Sequence, residues 1–180
     1  MDALNRITRV IDGVNEHIGR VVSWAALCLV LTQFVIVIMR YVFGIGSIFL
    51  QESLSYFHGA LFMAGAGYTL LHEGHVRVDI LYRDAAPRTK AISDLIGAVF
   101  LLLPVCVLIW WLSWPFVDAS WAVLEGSRET SGIQAVFLLK SLILVFAALV
   151  GMQGVSMAAS AVCRLATGMP AAPDDLTPTI

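Results

Sequence analysis

His72, Glu73, His75 and Asp79 fall in one short run, His72-Glu73-Gly74-His75-Val76-Arg77-Val78-Asp79. Imidazoles and carboxylates are ligand types of metal sites. The spacing fits no compact site, however, and Arg77 in its midst repels a cation. The run is therefore read as a solvated loop with internal hydrogen bonds. Arg40 and Glu52 form a second pair of opposite charges, on either side of a short turn. Charges near a membrane are costly unless paired. The two suit a staple across the turn, a contact with a partner protein, or a pair of solvated interfacial groups. Haem held between helices needs two histidines facing each other at similar depth. Only His58 lies well inside an apolar run, and His17 can approach His72 or His75 only at a surface. Cys28, Cys106 and Cys163 are far apart and form no CxxC, so they read as small buried or lipid-facing hydrophobes. No nucleophile–base arrangement, Gly-rich phosphate loop or intramembrane carboxylate pair stands in the sequence. No catalytic, cofactor-binding or metal-ligating residue is expected, and no cofactor.

The elements that carry these residues follow from composition. The chain has 180 residues, 59% hydrophobic and 13% charged, with a net charge of −2. Soluble domains average about half apolar and a quarter charged, so lipid must solvate the excess. The Lys and Arg residues are scattered, and no basic stripe points to nucleic acid. Crossing a bilayer takes about 20 mostly apolar residues. Val21–Met39, Ser53–Leu71, Leu95–Val117 and Ser141–Cys163 meet that length, with His58 their one titratable basic group. The backbone must satisfy itself in hydrocarbon, so these runs are helices. Continuous rather than alternating apolar residues exclude a β-barrel. The fold class expected is an all-α integral membrane protein with four transmembrane helices, spanning about 21–43, 50–71, 92–117 and 135–163. No sizeable water-soluble domain fits beside them.

Basic residues set the orientation. Arg6, Arg9 and Arg20 precede the first span, Arg77, Arg83, Arg88 and Lys90 lie between the second and third, and Arg164 follows the fourth. Only Arg40, Arg128 and Lys140 lie on the other side. Both termini and the middle loop are thus expected in the cytoplasm. The first span is no cleaved signal peptide, because its apolar run is too long and no A-x-A site follows.

Leu4, Ile7, Ile11, Val14 and Ile18 recur at steps of three and four, with Asn5, Arg6, Arg9, Asp12, Asn15 and Glu16 between them. Residues 1–20 are read as an amphipathic helix in the cytoplasmic interface. Ala147, Gly151, Gly154, Ala158 and Ala161 share a face of the fourth span, as Ala60, Ala64 and Gly67 do in the second. Such small residues let helices approach closely in lipid, within the chain or against a partner. Pro104 is placed to bend the third helix. The loop Asp118–Gln134 carries Glu125, Arg128 and Glu129 among apolar residues. Residues 164–180, rich in proline, read as a disordered cytoplasmic tail. No internal repeat of the four helices marks a complete transporter built from inverted halves. Few polar groups stand mid-span, among them Thr32, Gln33, Tyr56, His58 and Gln153, and the chain reads as an accessory subunit.

Arg40-Tyr41-Val42-Phe43 closing the first span, Glu52 opening the second, and four helices with both ends inside resemble the small, DctQ-type membrane subunit of tripartite ATP-independent periplasmic (TRAP) transporters. Gly74-His75-Val76-Arg77-Val78-Asp79 matches that family's G-H-[IV]-x-V-D signature. Glu125-Gly126-Ser127-Arg128-Glu129-Thr130-Ser131-Gly132 resembles its outer loop, and Gln153 a recurring glutamine of the last helix. The likeness covers roughly Val21 to Ala161. Gln51 stands where the family often has a second acid beside the one matched by Glu52. The resemblance implies a large DctM-type permease subunit and a periplasmic DctP-type solute-binding protein as partners, besides membrane lipid. It implies sodium-driven symport of organic acids or related solutes across the bacterial inner membrane, with the small subunit as scaffold and without a solute site of its own. Arg40, Glu52, His75, Arg77, Asp79, Glu125, Gly151 and Gly154 are the residues expected in subunit contacts or in structural roles. The rival reading is a haem- or quinone-associated membrane anchor of an electron-transfer complex, and a self-assembling channel or scaffold is a third.

Overall fold

A computed structural model describes residues 2–75 and 86–167. The loop calls at Arg77 and Asp79 and the tail from residue 168 onwards lie outside the described residues. Every element among the described residues is helical. α1 (Asp2–Tyr41) runs 40 residues without interruption, so residues 2–20 continue directly into the first apolar run. After a turn at Gly44, where φ is +66°, α2 (Ile48–Gly59) begins at Ser47, whose hydroxyl accepts from the Leu50 amide. A π-helical turn, Ala60–Ala64, joins α2 to α3 (Gly65–Leu71) without a break in the helix. α4 (Pro87–Ile96) opens on a proline, which has no amide hydrogen to leave unpaired in a first turn. A second π-helical turn, Gly97–Leu102, leads into α5 (Leu103–Ala122), and α6 (Val136–Thr167) closes the fold.

The second π turn has a cause in the sequence. Pro104 cannot donate to the carbonyl four residues back, and its ring crowds that carbonyl. A wider turn just ahead of it relieves both. The bend expected at Pro104 thus takes the form of a local change of winding. The first π turn contains no proline and is flanked by Gly59 and Gly65.

Among the described residues, three helical stretches are long and apolar enough to cross a membrane: Leu4–Tyr41, Pro87–Ala122 and Val136–Thr167. The fourth run of the sequence is helical too, but the π turn divides it. Its longest regular piece, α2, has 12 residues, short of the roughly 20 that a span needs.

α6 is the centre of the fold and touches α1, α2, α3, α4 and α5. α1 packs on α2 and α3, whereas among the described residues α4 and α5 touch no helix of the chain but α6 and their own π turn. The molecule is therefore a three-layer cluster of α1, α2–α3 and α6, with an α4–α5 arm laid along the far side of α6. Much of its core is small: Ala91, Ala98, Cys106, Ala147, Ala159 and Ala161 are buried, beside Val117, Leu149 and Val150. Large side chains such as Val30, Phe34, Phe100, Leu101 and Trp111 point outward. Lipid offers no hydrophobic reason to bury them, and close backbone approach holds the helices together instead.

Candidate functional site

The end of the molecule that carries the α1–α2 turn is organised around Glu52. Its carboxylate accepts hydrogen bonds from the Ser127 hydroxyl and from the Ile133 amide, the latter at 2.6 Å. Ser127 in turn accepts from the Glu129 amide at 3.1 Å. The loop between α5 and α6 is thereby tied to α2 just past its first turn. Two glycines make the fit possible. A Cβ at Gly132 would lie 2.2 Å from the Ser127 hydroxyl and 2.6 Å from a Glu52 oxygen, and one at Gly126 would lie 1.7 Å from the Gln134 side-chain oxygen.

The same loop is fastened to its flanking helices by Glu125. Its carboxylate accepts from the Ser120 hydroxyl at 2.7 Å and pairs with Lys140. Its backbone carbonyl accepts from the Phe137 amide at 3.3 Å. The Lys140 bond, and then the Ser120 bond, hold the Glu125 carboxyl below the usual carboxylate range. Lys140 also sits 4.1 Å over the Phe116 ring. Trp121 donates from its indole nitrogen to Ser141 at 2.8 Å and meets Phe137 edge-on at 4.7 Å. The expected region Asp118–Gln134 is thus a folded, hydrogen-bonded platform. Arg40 is exposed and forms no ion pair among the described residues. Of the staple's two members, Glu52 is engaged by the loop and Arg40 is left facing outward, as are Arg128 and Glu129.

At the opposite end, α1 and α6 are locked by polar side chains. Asn15 donates to the Gln153 side-chain carbonyl at 2.7 Å. Gln153 donates to Asp12 at 3.0 Å, and Ser156 donates to the same Asp12 oxygen at 2.7 Å. Asn15 is 1% exposed and Gln153 3%. The Asn15 side-chain oxygen has no hydrogen-bond partner among the described residues. It packs where a Cβ of Gly67 would stand, 2.3 Å from that point, so the bare Cα–H of glycine faces it as a weak donor. Next to this lock, a Cβ on Gly19 would lie 2.2 Å from the Tyr68 ring. Glu16 pairs with Arg20 at 2.7 Å and with His72 at 2.6 Å, and the His72 ring lies tilted against Tyr68 at 4.4 Å. Arg164 reaches Asp94 at 3.4 Å and joins α4 to α6.

Asp12 and Asn15 escape a reading by apolar periodicity. Asp12 and Asn15 sit on what that reading takes for the polar face, yet they point at α6, while Ile7 and Val14 of the apolar stripe are exposed. The available signal is the series Thr8, Asp12, Asn15, Gly19, at steps of three and four.

The remaining candidates are structural within this chain or stand at its surface. Gly151 faces Cys106 of α5, with 3.4 Å from its virtual Cβ to the Cys106 Cβ. Gly154 faces Leu102 of the second π turn at 2.8 Å. The small-residue seam of α6 therefore seats the α4–α5 arm. His75 is exposed. Cys28, Cys106 and Cys163 are free thiols. Among the described residues, no three His, Cys, Asp or Glu side chains gather as a metal site would require.

A family model described as tripartite ATP-independent periplasmic transporters, DctQ component, matches residues 19–169. The chain belongs to this family. Neither the curated proteins nor the solved structures gave a match. As a DctQ-type small subunit of a TRAP transporter, the chain is a transporter component of the membrane, and its family is not one of enzymes. The matched region takes in the Glu52–loop platform, the α6 seam with Gly151 and Gly154, and Gln153 of the polar lock.

Proposed function

We propose that this chain is the small permease subunit of a sodium-coupled, binding-protein-dependent secondary transporter that imports organic acids or related solutes. In this reading it crosses the bacterial inner membrane four times, with residues 48–71 as the second crossing. Both termini are cytoplasmic, and residues 1–20 form an amphipathic start at that surface. The platform held by Glu52 and Glu125 then faces the periplasm, where the solute-binding protein docks. The chain scaffolds a large DctM-type subunit, which carries the solute and ion sites, and a DctP-type binding protein delivers the solute.

The observation that carries this reading is the family match across residues 19–169. The excess of Arg and Lys at the end with the polar lock supports the orientation. The open arrangement, in which the α4–α5 arm rests on α6 alone, suits a subunit completed by a neighbour. The deciding experiment is sodium-driven uptake into proteoliposomes that hold the large subunit and the binding protein, with and without this chain. Uptake is expected only when all three are present. Full uptake without this chain would overturn its scaffold role, and uptake by this chain alone would place the transport path here.

A further inference from the structure

Leu29, Gln33, Leu54, Ser55, His58 and Gly59 line a groove of about 370 Å³ between α1 and α2. Gln33, Ser55 and His58 are all exposed on this face and form no hydrogen bond among the described residues. The His58 ring lies 4.4 Å from the Phe62 ring. Val30 and Val37, one helical turn either side of Gln33, are exposed as well, and so is Phe62, one turn beyond His58. The face is thus a polar centre inside an apolar rim.

Its depth matters. Gln33 stands seven residues before Arg40, and His58 six after Glu52, so at 1.5 Å per residue both lie about 10 Å below the charged end of the hairpin. Half the hydrocarbon layer is about 15 Å thick. Three polar side chains therefore open together into the hydrocarbon, where an unpaired amide or imidazole is costly. Acyl chains offer neither donor nor acceptor, and headgroups lie about 10 Å away by the same count. A neighbouring helix with a polar side chain offers both. A component of a tripartite transporter also has a different membrane protein to meet.

We infer that this groove seats a transmembrane helix of the large permease subunit, one that presents a hydrogen-bonding side chain to Gln33 and His58. The inference rests on the assembly proposed above and assigns it a face. The test uses the co-expressed complex in native membranes. A photo-crosslinking amino acid is placed at Ser55 in one variant and, as a control on the α4–α5 arm, at Phe100 in another. Adducts with the large subunit are expected from position 55 and not from position 100. In parallel, the double variant Gln33→Leu, His58→Leu should retain the large subunit about tenfold less well in detergent, the scale of an interhelical hydrogen bond in lipid. Its own thermal unfolding should be unchanged, because neither side chain packs inside the chain. Adducts only at position 100, only with lipid, or with a second copy of this chain would overturn the inference and leave the assembly standing. So would undiminished retention of the double variant. If the unsubstituted chain itself fails to hold the large subunit, the functional reading falls, and this inference with it.

Discussion

Glu52 spends both carboxylate oxygens on a loop that lies 75 and 81 residues further along the chain. Removing such an acceptor leaves two part-buried donors without a partner. Glu52→Ala should therefore lower the melting temperature in detergent and speed hydrogen exchange across residues 126–134. A double-mutant cycle separates its partners. Glu52→Ala should couple to Ser127→Ala and should be additive with Arg40→Ala, since Arg40 faces away from it; the reverse pattern would restore the hairpin staple. Glu125 supplies a pH dependence whose sign is fixed. Its carboxyl is held below its ordinary range by Lys140 and Ser120. It therefore stabilises the fold above that range, and the contribution fades as pH falls through the lowered value. Melting curves taken from pH 7 down to about pH 3 should show the unsubstituted protein losing its advantage over Glu125→Gln below about pH 4. A constant gap across that window would mean that the Lys140 pair does not form. Sequence placed Arg40 and Glu52 on either side of one short turn, because only six residues separate the helices that carry them. It had no means to show which way the Glu52 side chain turns, because its partners come from a distant loop.

Between elements, contact is set by glycines whose partners are specific side chains. A Cβ at Gly67 would meet the Asn15 oxygen at 2.3 Å and Leu149 at 3.2 Å. Gly67→Ala should destabilise by about 1–3 kcal/mol, the usual scale of overpacking. Adding Asn15→Ala should recover part of that loss, because the second change removes the atom in the way. Full additivity of the two would show that α3 does not rest on Asn15. Gly154→Leu should act elsewhere, by lifting the π turn at Leu102 off α6. Cysteine pairs placed across α1 and α6 should then still crosslink, while pairs across α5 and α6 should not. The seams themselves were legible, since small residues at steps of three and four need no structure to be seen. Their partners were not, because a seam says how close a neighbour comes and not which neighbour it is. The helices were legible for the same local reason, and Pro104 announced a disturbance. The turn at Ala60–Ala64 carries no such residue, so nothing in the sequence separated α2 from α3.

The whole molecule is asymmetric. α1 at 40 residues is about 60 Å long, some twice the hydrocarbon thickness. It is tied to α6 by Asp12 and Asn15, far from the platform that Glu52 holds. The length of the apolar runs made the membrane class readable from sequence. The open plan was not readable, because four helices of suitable length are equally compatible with a closed bundle. The polar lock between α1 and α6 also sets an order of assembly. Asp12 leaves the ribosome before its partners Gln153 and Ser156, which follow 141 and 144 residues later. At about 5–20 residues per second, synthesis takes roughly 7–30 s to cover that distance. During that interval Asp12 and Asn15 have water or headgroups for company, and the N-terminal segment is a tether without a mooring. The last helix is therefore the closing piece, and a nascent chain cut short before Val136 leaves Asp12 and Asn15 without Gln153 and Ser156 however well its earlier helices have inserted.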